Sequence, residues 1–120
     1  MHSPLNAKFG ISTEDLPDGT VALALATDAS CHNEIGAVHG GLAMLLLDGA
    51  MGRAAGRTLE PGQGCATIQF SVQFLEPAQG RLRAVGRIVK RGRSVAFLEG
   101  ECTREDGTLI ARAHGSWAIR

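Results

Sequence analysis

The sequence predicts an α+β domain in the order β-α-β-β-β-β, one long helix with an antiparallel sheet. Two observations predict this class. The stretch GGLAMLLLDGAMGRAAG, about Gly40 to Gly56, is apolar almost all the way round, as a helix buried on most sides is. The rest of the chain breaks into runs that alternate with period two, separated by turn residues. The 120 residues hold no internal repeat, which suits a single domain over residues 1–120.

Residues 1–19 read as a lead-in segment, with Phe9 and Ile11 as candidate anchors to the core. Leu16-Pro17-Asp18-Gly19 is a turn. Thr20 to Thr27 is the first strand. Val21, Leu23 and Leu25 make its bulky face, and Ala22, Ala24 and Ala26 its thin one. Asp28 to Val38 is a loop, in which Asn33 suits side-chain to backbone bonds. The helix follows, with Gly56 as its stop. Gly49 and Gly52 weaken it by about 1 kcal/mol each, a cost that close packing would offset, and a second helix is one candidate for that packing.

After the loop Leu59–Gly64, Cys65 to Leu75 is the second strand. Ile68, Phe70, Val72 and Phe74 fall on one face; Thr67, Gln69, Ser71 and Gln73 fall on the other, which is uncharged and either solvated or a subunit interface. Pro77 to Gly80 is a turn. Arg81 to Lys90 is the third strand, with Arg81, Arg83 and Arg87 on one side. Arg91-Gly92-Arg93 turns into a fourth strand, Ser94 to Arg104. Glu105-Asp106-Gly107 is a hairpin turn, Asp-Gly being its signal. Thr108 to Ile119 is the fifth strand, alternating around Leu109, Ala111, Ala113, Gly115 and Trp117.

Composition narrows the function classes. Hydrophobic residues make up 44%, enough for a core, while aromatics are only 4% and Tyr is absent. Formal net charge is zero, so nothing points to a nucleic-acid surface. The apolar run Leu42 to Leu47 is far too short to cross a membrane, and MHSPLNAKFG lacks the features of a signal peptide. Cys31, Cys65 and Cys102 are odd in number and widely spaced, which favours reduced structural thiols in a cytoplasmic chain. No HExxH, CxxC, P-loop or dinucleotide motif is present, so neither a metal nor a nucleotide cofactor is expected.

The candidate chemistry sits in and before the helix. The free N–H groups at a helix start suit a developing negative charge, and Gly40 and Gly41 let another group approach the backbone there. Asp48 is the helix's one carboxylate, and an isolated ion in apolar surroundings is costly unless paired. Arg53 cannot pair with it, because five residues is about 140° round the axis. Asp48 lies eight residues beyond Gly40, about 12 Å along the axis. A base or nucleophile must come within about 3–4 Å of the reacting atom. If both groups serve one site, Asp48 comes from a second copy whose helix packs antiparallel, which predicts a homodimer with two shared sites.

Asn33, Gly36, His39, Gly40, Gly41 and Asp48 form N-x-x-G-x-x-H-G-G-x-x-x-x-x-x-D. This pattern resembles the signature of the hotdog-fold acyl-CoA thioesterases, in particular the phenylacetate-degradation (PaaI-like) subgroup. With the flanking strands the resemblance covers about residues 9 to 120. It implies a sheet curled around the central helix, and a homotetramer of two packed dimers. It implies hydrolysis of an acyl- or aryl-acyl-CoA to the free acid and coenzyme A, with coenzyme A as part of the substrate and no added cofactor. It carries the oxyanion N–H to Gly40, the base or nucleophile to Asp48, and a contact with the carbonyl or the attacking water to Asn33. It places His39 beside the thioester and gives Thr67 a water-positioning hydroxyl in the same subunit as Asp48. Gly41 belongs to the same helix start. Arg91, Gly92, Arg93 and Ser94 resemble the turn that contacts coenzyme A phosphates; two guanidiniums and turn amides suit such a partner. Each has a structural alternative: a cap for His39, a loop brace for Asn33, a charged edge-blocking hairpin for Arg91–Ser94. His2, His32, His114 and Glu34 carry no partner pattern. A hotdog hydratase or dehydratase and a non-catalytic acyl-CoA binder are the other classes the residues allow.

Overall fold

The computed structural model describes residues 3–120; Met1 and His2, at the head of the lead-in, lie outside the described residues. The elements are α1 (Pro4–Phe9), β1 (Ser12–Asp15), β2 (Val21–Ala26), α2 (Gly40–Gly56), β3 (Cys65–Phe74), β4 (Arg81–Arg91), β5 (Val95–Arg104) and β6 (Leu109–Ile119). The strands form one antiparallel sheet in the order β1-β2-β4-β5-β6-β3. α2 packs against β2 and β3 through β6, so the sheet curls around it in the hotdog arrangement.

The lead-in is more structured than a bare segment. Ser3 caps α1 by accepting from Asn6 N–H at 3.0 Å, Pro4 opens it, and Gly10 closes it at φ +70°. β1 is the polar stretch STED, which lacks apolar alternation; its extended state comes from pairing with β2, Ser12 opposite Ala24 through Asp15 opposite Val21. Ile11 joins the core, whereas Phe9 stays 42% exposed.

α2 is buried along one face rather than on most sides. Ala43, Leu46, Leu47, Ala50, Met51, Ala54 and Ala55 recur at helical spacing and meet the sheet. Met44 is 41% exposed on the other side, and Leu45 and Asp48 are half-buried there. The physical reason is simple: a single chain has only one sheet, and it covers one side of the helix. Gly86 and Gly100 face each other across β4 and β5 and form the floor under α2. A Cβ on Gly86 would lie 2.5 Å from the Ala50 carbonyl carbon. The tight packing expected at Gly49 and Gly52 comes from this chain's own sheet. A Cβ on Gly49 would meet Leu23 at 2.6 Å, and one on Gly52 would meet the Trp117 indole nitrogen at 3.4 Å.

The helix end also differs from expectation. Gly56 is its last residue but has no left-handed φ; Arg57 follows in right-handed geometry and donates its N–H to the Arg53 carbonyl at 3.0 Å. Its guanidinium bonds the carbonyls of Leu16 and Thr20, both at 2.9 Å, tying the helix end to the β1–β2 turn. Arg53 does find a carboxylate outside its helix: it grips Asp15 of β1 through two bonds, at 2.7 and 3.0 Å. No helix among the described residues is long and apolar enough to cross a membrane.

Candidate active site

The loop before α2 is built to aim its first turn. Cys31 closes a short 3-10 turn, Ala29–Cys31, capped by Asp28. His32 bridges to Val38, and between them Asn33 Oδ1 accepts from Ile35 N–H and Ala37 N–H, both at 3.1 Å. Gly36 takes φ +81° to close this turn, a conformation that suits glycine. Asn33 therefore acts as the loop's brace through its oxygen.

His39 is the N-cap of α2. Its Nδ1 accepts from Gly41 N–H at 2.9 Å, and its carbonyl accepts from Leu42 N–H at 3.0 Å. With Nδ1 accepting, the neutral ring carries its proton on Nε2. Among the described residues, no group takes the Gly40 N–H. The two glycines have separate packing reasons. A Cβ on Gly40 would lie 3.1 Å from the Phe74 ring, and one on Gly41 would lie 2.9 Å from His39 Nδ1.

Asp48 sits two turns on, at the half-open side of α2. Thr67 Oγ1 donates to its Oδ1 at 2.9 Å. Strict alternation would have put Thr67 on the face opposite Phe70. The structure corrects this: β3 bulges at Ile68, so Thr67 pairs with Trp117 while Gln69 pairs with Ser116. The extra residue swings Thr67 onto the helix-facing side with Phe70, Val72 and Phe74, and leaves Ile68 54% exposed. Gln69 stays on the outer face, where its side-chain amide donates to Ser116 Oγ at 3.2 Å.

Asp48 and the start of α2 line different hollows. Asp48 and Thr67 line a hollow of about 300 Å³ with Gly52, Arg53, Cys65 and Trp117. His39 and Gly41 line another, about 330 Å³, with Phe9, Ser30, Cys31, His32 and Leu42. The motif alone did not reveal Phe9, Cys31, Phe74 or Trp117, because each arrives from a different element. Phe9 was visible only as a possible core anchor.

The Arg91–Ser94 turn is divided. The Arg91 guanidinium is turned into the protein, donating to Thr58 Oγ1 at 3.1 Å, Gln63 Oε1 at 3.0 Å and the Gly92 carbonyl at 2.6 Å. Gly92 is needed there, since a Cβ would lie 2.5 Å from the Val95 carbonyl oxygen. Arg93 and Ser94 are exposed. The polar hollow on the outer face of the sheet, about 370 Å³, contains His114 but none of the expected site residues. Its Arg87 is already committed to Glu99 at 2.8 Å and Glu101 at 3.0 Å. Cys102 is buried, and burial pushes its thiol up to about 12; Cys65 is raised for the same reason.

Comparison with known proteins places the chain and its fold in a family. Residues 35–111 match the sequence profile of the thioesterase superfamily. A protein of Halobacterium salinarum, named as a candidate esterase, is 36% identical over 92% of this chain and 81% of its own length. A Bacillus halodurans protein crystallised with CoA superposes with a TM-score of 0.91 at 30% identity, over 99% of this chain and 80% of that one. A candidate thioesterase of Ralstonia eutropha, described as phenylacetic acid degradation-related, superposes with a TM-score of 0.88 at 29% identity, over 98% and 92%. The chain belongs to the thioesterase superfamily, as a thioester hydrolase of hotdog fold.

Proposed function

We propose that the protein hydrolyses an acyl- or aryl-acyl-CoA to the free acid and coenzyme A, at sites shared between two copies. One observation carries the reading. α2 presents at its start an N–H that no described group takes, and two turns on a carboxylate held by Thr67 on the side the sheet leaves open. The thioesterase relatives, and the one crystallised with CoA, support the substrate class.

In this mechanism the Gly40 N–H, at the positive end of α2, polarises the thioester carbonyl. Asp48 of the partner chain removes a proton from water as it adds to that carbonyl, or adds directly and forms a mixed anhydride that water opens. The tetrahedral adduct collapses, the C–S bond breaks, and the thiolate leaves with the electron pair. Thiolate is a good leaving group, so no added cofactor is invoked. Thr67 orients Asp48 and its water. The Asn33 amide and the His39 Nε2–H are the further donors for carbonyl or water, Asn33 Oδ1 and His39 Nδ1 being taken by the backbone. Gly41 keeps the helix start open to the thioester. Arg93 and Ser94 meet the coenzyme A phosphates, with Arg91 and Gly92 holding their turn.

Three features support assembly into dimers and then a tetramer. Asp48 and Gly40 of one chain lie too far apart to serve one carbonyl. β3 is a free edge of the sheet with neither charge nor proline over its ten residues, and such edges are ready to pair. The chain exposes 6947 Å², where a monomer of 12.6 kDa would expose about 6,200 Å².

The test is thiol release from a panel of acyl-CoAs by wild type, Asp48→Asn and Gly40→Pro. Proline removes the N–H at the first helical position, and His39 already has a backbone suited to precede it; its Cβ would lie 3.1 Å from the Phe74 ring, so recovery on mixing also reports that the variant folds. Each variant should lose at least ~100-fold in rate. Mixing the two should restore about a quarter of wild-type turnover, since half the dimers are mixed and each holds one intact site. Equal release by Asp48→Asn and wild type would make Asp48 structural, and no recovery on mixing would sink the shared site. Release by wild type from no member of the panel would favour a binder or a hydratase.

A further inference from the structure

The geometry points to Phe9 as a specificity-determining residue: its ring, carried on α1, walls the pocket that receives the acyl group. This rests on the thioesterase reading above.

α1 contributes nothing to the core, for none of its residues is buried. Yet it is held with care. Ser3 and Pro4 set its start, Gly10 turns the chain at φ +70°, and Ile11 N–H bonds back to the Asn6 carbonyl at 2.9 Å. Ile11 itself is 7% exposed and anchored in the core. Phe9 thus stands two residues from a fixed point, with its ring 42% exposed. What that ring faces is the hollow of about 330 Å³ at the start of α2, where His39, Gly41, Leu42 and Cys31 also lie. Gly40, with its untaken N–H, sits in the chain between His39 and Gly41.

The chemistry of the hollow selects the part of the substrate. Its surface is mainly apolar, with Phe9, Leu42 and Cys31 as walls, and its polar groups come from Ser30, His32 and His39. The pantetheine arm carries several amides, and the Phe9, Leu42 and Cys31 side would leave them unpaired. An acyl chain or aryl ring has no such need. Phe9 forms the outer wall, so its size sets how far the chain can extend.

The experiment measures kcat/KM for Phe9→Ala and Phe9→Trp over straight-chain and aryl acyl-CoAs of increasing size, with thermal melts alongside. Both variants should melt with wild type. Phe9→Ala should raise the ratio of large to small substrates by about tenfold, and Phe9→Trp should lower it. A change that is the same for every acyl group, or no change, would overturn the assignment and give the hollow to the coenzyme A arm or to neither. The same ladder made as non-hydrolysable thioethers, read by binding, reports the ratio even if wild type releases no thiol. Absence of turnover therefore counts against the thioesterase reading, and an unchanged binding ratio counts against Phe9.

Discussion

Thr67 shows how much one inserted residue decides. Its hydroxyl reaches Asp48 at 2.9 Å only because Ile68 bulges out of the ladder. The alternation of the sequence placed Thr67 with Gln69, Ser71 and Gln73, and nothing in those residue types marks a bulge. In the proposed mechanism the bond steers the carboxylate. Thr67→Val keeps the branched shape and removes the donor, so kcat should fall about tenfold, the worth of one hydrogen bond to a charged group. Thr67→Ser should restore most of it. Steady-state kinetics on the best acyl-CoA checks this, and an unchanged kcat would leave the hydroxyl a packing group. His39 and Asn33 teach a related lesson. The motif named them as site residues, and each also has a backbone duty, as cap and as loop brace.

Among the elements, α2 was legible to the residue at both ends, because its apolar stretch starts after a cap and has no competing period. The strands were legible within a residue or two for the same reason. β1 and α1 were not, since four polar residues and one short turn carry no period; pairing with β2 and two caps make them. Glycines divide along the same line. Gly86 looks like any strand glycine in the sequence, yet α2 lies on its backbone. Gly86→Ala should destabilise the fold by at least ~1–3 kcal/mol, the cost of overpacking with a partner that is main chain. Gly56→Ala, at the helix end with nothing within 4 Å of the new Cβ, should stabilise by about 0.5–1 kcal/mol. Urea unfolding of the two variants beside wild type reads both signs.

At the scale of the whole molecule, the chain leaves one side of its helix and one edge of its sheet open, and the proposed reading completes both with a second copy. One side of α2 is covered by the sheet and the other is left with Met44, Leu45 and Asp48. The edge β3 is uncharged, with Ile68, Phe74 and the adjoining Leu75 all about half exposed. Light scattering should give a multiple of the 12.6 kDa chain, a tetramer on the proposed reading. Ser71→Lys puts a charge in the middle of the edge, at a position already exposed in the chain. It should lower the mass without unfolding the protein, and turnover should fall with it. A wild-type mass equal to one chain would remove the shared site altogether.

By itself the sequence determined the kind of molecule: one apolar helix, period-two strands, and a pattern from Asn33 to Asp48 that resembles the thioesterase signature. These are local properties, written in periodicity and in glycines that a short motif requires. Only the tertiary structure decided which groups meet. It turned Thr67 inward through a bulge, drew Arg91 into its own turn, set Phe74 over Gly40, and divided the helix start and Asp48 between two hollows. Such contacts join residues far apart in the chain, through the curl of a sheet around a helix, and no period in the sequence encodes that curl.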